Sequence, residues 1–205
     1  MIIHMVRHGL TEGNAQRRYV GATDMPLSEE GLRLARAGQR DEAVRQVYVT
    51  PLRRTQQTAA ILYPNARQII VPDLREMNFG AFEGRTYEEL ENDADFRAWN
   101  EDGGMQPSPG GEGRLGFSQR ATAALTRLIE EAAARGEDEI RILAHGGTIM
   151  SLMAVHALPQ KPYYEWWVDN MTGYRMQVNP AEWAAQPIFA GVERDRKADK
   201  TYCPI

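Results

Sequence analysis

The chain almost lacks cysteine: Cys203 is the single thiol in 205 residues, so neither an internal disulfide nor a cysteine-ligated metal site can be built from one copy. An excess of positive charge is missing too. With 24 Lys and Arg against 28 Asp and Glu the net charge is -4, and the arginines are scattered, which argues against nucleic acid or a membrane surface as partner. No apolar run reaches the length needed to span a bilayer, and the N-terminus shows no secretory-signal pattern, so a cytoplasmic setting is expected. Neither an H-E-x-x-H pattern nor a cysteine cluster is present to suggest zinc, and no repeat or linker divides residues 1–205, which read as one domain with no cofactor.

What is there is an alternation of short apolar runs and helix-forming stretches. Ile2 to Val6, Val47 to Thr50, Arg67 to Val71 and "EIRILAH" (139–145) read as strands. Ser28 to about Arg40, Arg53 to Tyr63, Phe117 to Arg135 and "TIMSLMAVHAL" (148–158) read as helices, with Ser28 as a cap and Gly136 as a stop. "GYRMQVN" and "QPIFAGVE" read as closing strands. This order predicts an α/β fold, a mostly parallel sheet covered on both faces, whose ligands bind outside the carboxyl ends of the strands. Residues 100–113, rich in Gly and Pro, are expected to form a loop that could serve as a lid.

Polar residues gather at those strand ends. Arg7-His8-Gly9 closes the first strand, Thr50 with Arg53 and Arg54 follows the second, Glu76 the third, and His145-Gly146-Gly147 the fourth. Convergence of these ends would put two imidazoles, at least two guanidiniums and a carboxyl group in one crevice. Paired arginines match the oxygens of a phosphate, and Thr11, Asn14 and the helix start at Gly146 can add neutral donors. Of the two histidines, one can attack phosphorus as a neutral ring while the other holds the anion as a cation. A carboxyl kept partly protonated, for which Glu76 is the candidate, can protonate the leaving group and later activate water. Arginines and a protonated imidazole can neutralise the transferring group, so the scheme requires no metal.

In order along the chain, "VRHGLTEGN", "GATDMPLSEEG", "TPLRRTQQTA", "LREMNFGAFEGRTYEEL" and "LAHGGTI" resemble the motifs of the histidine phosphatase superfamily, also called phosphoglycerate mutase-like. The resemblance implies a three-layer α/β/α sandwich. It also implies that His8 becomes phosphohistidine, that Arg7, Arg54 and His145 form the phosphate pocket, that Glu76 is the proton donor, and that Asn14 fills a further polar position. Within the superfamily, "YVGATDMPLSEEG", "EMNFGAFEG" and "PGGEG" are most similar to the alpha-ribazole phosphatase group, although Phe82 stands where that group commonly has tryptophan. The expected partner is a small phosphomonoester, with alpha-ribazole 5'-phosphate the named candidate and a homodimer left open. A phosphoglycerate mutase or bisphosphatase, and a non-catalytic phosphate-binding module, are the alternatives. Met77, Asn78 and Phe79 after Glu76 depart from the mutase pattern.

The remaining candidates have plainer readings. His4 in an apolar strand and His156 in a helix tail are assigned to structure or surface, Arg53 to solvent, and Asp24 and Ser28 to local hydrogen bonds. The aromatic run "YYEWW" (163–167) is assigned to core, and Glu112 is the loop residue to watch. Specificity is expected to lie in residues 77–114 and in the aromatic run.

Overall fold

The computed structural model describes residues 1–195, so Cys203 lies outside the described residues. In chain order the elements are β1 (Ile2–Arg7), α1 (Glu12–Ala15), α2 (Glu29–Ala37), β2 (Gln46–Val49), α3 (Arg53–Leu62) and β3 (Arg67–Ile70). There follow α4 (Tyr87–Leu90), α5 (Ala94–Glu101), α6 (Arg114–Ala134), β4 (Glu139–Ala144), α7 (Gly146–His156), β5 (Gly173–Gln177), α8 (Pro180–Trp183) and β6 (Ala190–Asp195). The sheet order is β3-β2-β4-β1-β5-β6. Its first four strands run parallel, while β5 and β6 add an antiparallel margin.

Side chains of a strand alternate between faces, and here they alternate between two cores. Ile3 and Met5 of β1, with Ile140 and Ile142 of β4, join Leu125, Ile129, Leu152 and Met153 of α6 and α7 on one face. Val6, Val47, Val49 and Leu143 meet Ala59 and Leu62 of α3 on the other. The predicted α/β/α layering is therefore what the molecule adopts. Each such Leu or Ile contributes about 1.5–3 kcal/mol when fully buried, which makes the sheet the rigid part on which strand-end loops are mounted.

A third, small cluster of Phe82, Leu90 and Phe96, edged by Tyr19, Phe79 and Trp99, stabilises the excursion between β3 and α6. Two expectations about this region change. Asn100 and Glu101 belong to α5, whose start is fixed by the Asp93 carboxylate accepting from the Asp95 and Phe96 N–H groups. Helix α6 begins three residues earlier than the apolar pattern suggests. Gly113 precedes it because a Cβ there would lie 2.5 Å from the Met105 carbonyl oxygen, and the Arg114 N–H donates to Gly104 O at 2.7 Å. The 100–113 segment is also strapped down: Glu112 N–H donates to Asn78 O and Ala81 N–H to Pro109 O, each at 2.8 Å. Among the described residues, no helix is long and apolar enough to cross a membrane.

Candidate active site

Parallel pairing of β1 with β4, and of β4 with β2, sets the Arg7, Ala144 and Val49 ends side by side. His8 and His145 each follow such an end, and both are buried. Their rings meet edge to face with centroids 5.2 Å apart. Residues 137 positions apart in sequence thus face one point.

The hydrogen bonds fix how each ring carries its proton. His8 Nδ1 lies 2.7 Å from the Gly9 carbonyl oxygen, which can only accept, so Nδ1 bears the hydrogen and Nε2 keeps its lone pair. Burial, then the charges of Arg54 and Arg7, hold this imidazole well below the usual histidine value. At neutral pH it is uncharged. His145 accepts from Arg54 Nε at Nδ1 (3.2 Å) and donates from Nε2 to Thr50 Oγ1 (2.9 Å). Burial, Arg54 and its neighbours depress it as well. The expected cationic second imidazole is therefore a neutral ring in this arrangement, because an arginine donor occupies the nitrogen that would take the proton.

Arg54 is fully buried in the first turn of α3. Besides His145 it donates from Nη1 to Thr23 O at 2.8 Å and from Nη2 to Gly21 O at 2.7 Å. Two of its five N–H groups remain for a ligand. Burial pulls its pKa down to about 10, so it stays cationic at neutral pH. Arg7 is anchored by Nη1 on Val168 O at 2.8 Å, with its guanidinium 5.3 Å from the Trp167 ring centroid. Its Nε is buried with no acceptor among the described residues. An orphaned buried guanidinium N–H costs on the order of 1–3 kcal/mol or more, and a bound anion would relieve it.

Glu76 reaches the crevice through an irregular segment after β3. Its carboxyl accepts from the Met77 N–H (Oε1, 3.0 Å) and the Gly147 N–H at the start of α7 (Oε2, 2.8 Å). Burial outweighs these bonds and the nearby charges of Arg54 and Arg7, so its pKa is raised above the ordinary carboxylate value. The α7 N-terminus, expected to favour a bound anion, thus holds the carboxyl of Glu76. Gly146 permits the approach of Arg7: a Cβ would stand 3.3 Å from Arg7 Nε. Thr11 caps α1, its hydroxyl accepting from Asn14 N–H at 3.2 Å, while Asn14 Oδ1 accepts from Thr11 N–H at 3.3 Å. With that oxygen committed, the Asn14 amide NH2 is its donor end.

Sequence reasoning missed several supports of the site. Glu83, inside the quoted block "GAFEGR", accepts from the N–H groups of Gly21, Ala22, Thr23 and Phe79 and from the Thr23 hydroxyl at 2.6 Å. It thereby aims the Gly21 and Thr23 carbonyls that orient Arg54. Asn170 donates to His8 O at 2.9 Å, and no local motif signals it. Arg120 binds Glu112 with both Nε (2.9 Å) and Nη2 (2.7 Å) and donates to Asp73 O at 2.7 Å, bracing the loop that carries Glu76.

Other readings hold in part. Arg53 is exposed and pairs with Asp24, and Ser28 caps α2. His156 is a buried structural ring between Thr122 and Pro187, and His4 bridges Asp195 and Glu139. The aromatic run is core at Trp166, with Tyr163 partly buried against the same cluster, while Tyr164 and Trp167 are exposed. Trp167 lies against Arg7, and Tyr163 has its hydroxyl pushed up by burial and then by the nearby Glu76 charge.

A neutral buried imidazole, two anchored guanidiniums and a carboxyl of raised pKa thus meet at the strand ends of an α/β sheet. A model of the histidine phosphatase superfamily (branch 1) matches residues 3–189, and the chain belongs to that superfamily. It is 34% identical over 173 residues to the glucosyl-3-phosphoglycerate phosphatase of Mycolicibacterium vanbaalenii, covering 79% of this chain and 76% of that protein. It is 29% identical over 191 residues to the "Probable phosphoglycerate mutase GpmB" of Yersinia pestis, covering 89% and 87%. Among solved structures, the alpha-ribazole phosphatase of Shigella flexneri is similar with a TM-score of 0.74 and 27% identity, over 87% of this chain and 91% of that one.

Proposed function

We propose that this protein hydrolyses a small-molecule phosphomonoester in two steps through a phosphohistidine on His8. The observation that carries this reading is the 2.7 Å bond from His8 Nδ1 to the Gly9 carbonyl, which leaves Nε2 as a buried, unprotonated nucleophile among the guanidiniums. Nε2 attacks phosphorus and forms the N–P bond as the ester P–O bond breaks. Burial raises the Glu76 pKa and so favours its acid form, which gives its proton to the departing alkoxide. Arg7, through its orphaned Nε, and Arg54, through its remaining N–H groups, bind the equatorial oxygens together with the Asn14 amide. His145 stays neutral in this step and holds the Arg54 guanidinium at the oxygens by accepting from its Nε. In the second step Glu76, now a carboxylate, takes a proton from water, and the resulting hydroxide displaces His8.

Alpha-ribazole 5'-phosphate and glucosyl-3-phosphoglycerate are the first substrates to try, since relatives act on them by name. The acidic net charge and scattered arginines favour a small substrate over nucleic acid, in a cytoplasmic setting. The test is trapping with a 32P-labelled monoester under alkaline quench, where phosphohistidine survives. The wild type should retain label and His8→Ala none, with turnover abolished; unlabelled wild type together with continuing turnover in His8→Ala would reject the mechanism. The mutase reading has the Yersinia relative behind it. Conversion of 3-phosphoglycerate to its 2-isomer in the presence of the bisphosphate would favour it.

A further inference from the structure

We infer that Arg114 and Tyr163 form a second subsite, next to Glu76, that binds a carboxylate on the leaving alcohol; the inference rests on the phosphatase reading above and names its substrate class. Tyr163, in the short 3-10 turn Tyr163–Trp166, is largely withdrawn from solvent. Its hydroxyl feels both the Glu76 carboxyl and the Arg114 guanidinium. The turn packs against α7, whose Gly147 N–H holds the Glu76 carboxyl, and Trp167 just after it lies against Arg7; since Glu76 marks where the leaving oxygen receives its proton, Tyr163 stands where the rest of the leaving group begins.

Arg114, the first residue of α6, lies with its Cζ 4.5 Å from the Tyr163 ring centroid, and Nη1 donates to Gly103 O at 2.9 Å. Arg18, Arg53, Arg75, Arg85 and Arg120 each have a carboxylate partner. Arg114 has none among the described residues. It is half-buried and held on two sides, by a ring and by a carbonyl, yet its charge is not neutralised. Fixing an arginine in this way lowers the entropy lost on binding. A guanidinium with free N–H groups fits a carboxylate with two parallel hydrogen bonds. A second phosphate would call for more than the single charge present.

The test compares substrates that differ at one group: 3-phosphoglycerate against glycerol 3-phosphate, and phosphoserine against phosphoethanolamine. The wild type should favour the carboxylate member of each pair by about tenfold or more in kcat/KM, the range of a charge-assisted contact. Arg114→Gln should bring both ratios to near one, chiefly through KM, and Arg114→Lys should keep part of the preference. A ratio near one in the wild type, with turnover of all four esters still dependent on His8, overturns the subsite alone. Parallel loss on both members of each pair in Arg114→Gln also overturns it, since a merely structural role at Gly103 would act that way. Turnover that survives His8→Ala overturns the phosphatase reading beneath it.

Discussion

Replacing Glu76 by Gln separates the two jobs assigned to that side chain. Both carboxyl oxygens accept a backbone N–H, from Met77 at 3.0 Å and Gly147 at 2.8 Å. An amide offers one oxygen, so one buried donor loses its partner and meets an NH2 group, costing about 1–3 kcal/mol of stability. Loss of general acid–base action costs a further 10²–10⁴-fold in rate, about 3–5 kcal/mol of barrier. The leaving group tells the steps apart. An alkyl phosphate such as glycerol 3-phosphate needs a proton on its departing oxygen, so its turnover should fall by roughly the full factor. p-Nitrophenolate departs unprotonated, so the variant should still phosphorylate His8 and then stall for want of a base. Stopped-flow absorbance should show a burst of nitrophenolate near one equivalent per enzyme, followed by slow steady-state release. Equal fractional loss on both esters with no burst would refute the assignment of acid and base to Glu76.

The pH dependence has a definite sign. His8 must be neutral and its pKa is depressed, so kcat/KM should persist well below pH 6.5. Glu76 must be protonated and its pKa is raised from 4.5, so activity should decline on the alkaline side as that proton is lost, and Glu76→Gln should flatten this limb. Stability follows the same shifts: below pH 6.5 the unfolded chain binds protons on His8 and His145 that the folded protein refuses, so stability falls as pH drops. Urea titrations between about pH 7 and 5 should show a shallower fall in His8→Asn. At Gly147 an added Cβ would lie 2.4 Å from Glu76 Oε1 and 3.0 Å from its Cδ. Gly147→Ala should therefore displace the carboxyl and lower alkyl phosphate turnover about 10²-fold, whereas Gly146→Ala, whose Cβ would lie no nearer than 3.3 Å to Arg7, should be milder. Equal kinetics for the two alanine variants would contradict the crowding at Glu76.

Local chemistry along the chain was enough to specify the layered fold and the strand-end positions of His8 and His145. Apolar runs of strand length and amphipathic stretches between them need only neighbouring residues to be read, and Gly9 and Gly146 after the histidines mark a close approach of the backbone. The same holds for the Ser28 cap. The antiparallel direction of β5 and β6 was not legible, because a short apolar strand carries no sign of which way its partner runs. Nor was Glu83, whose five donors come from residues 21–23 and 79. The aromatic run was misassigned in part for a similar reason: spacing cannot say that Trp166 and Tyr163 pack on the core while Trp167 lies over Arg7.

The residue types and their order determined by themselves that an imidazole, guanidiniums and a carboxyl would be delivered to the ends of parallel strands. Tertiary structure alone decided their charge states. It set Arg54 against His145, left Arg7 Nε without an acceptor among the described residues, and buried Glu76 deeply enough to raise its pKa. Desolvation and long-range hydrogen bonds arise from what packs around a group, and no residue carries that information in its own identity or in its spacing from its neighbours.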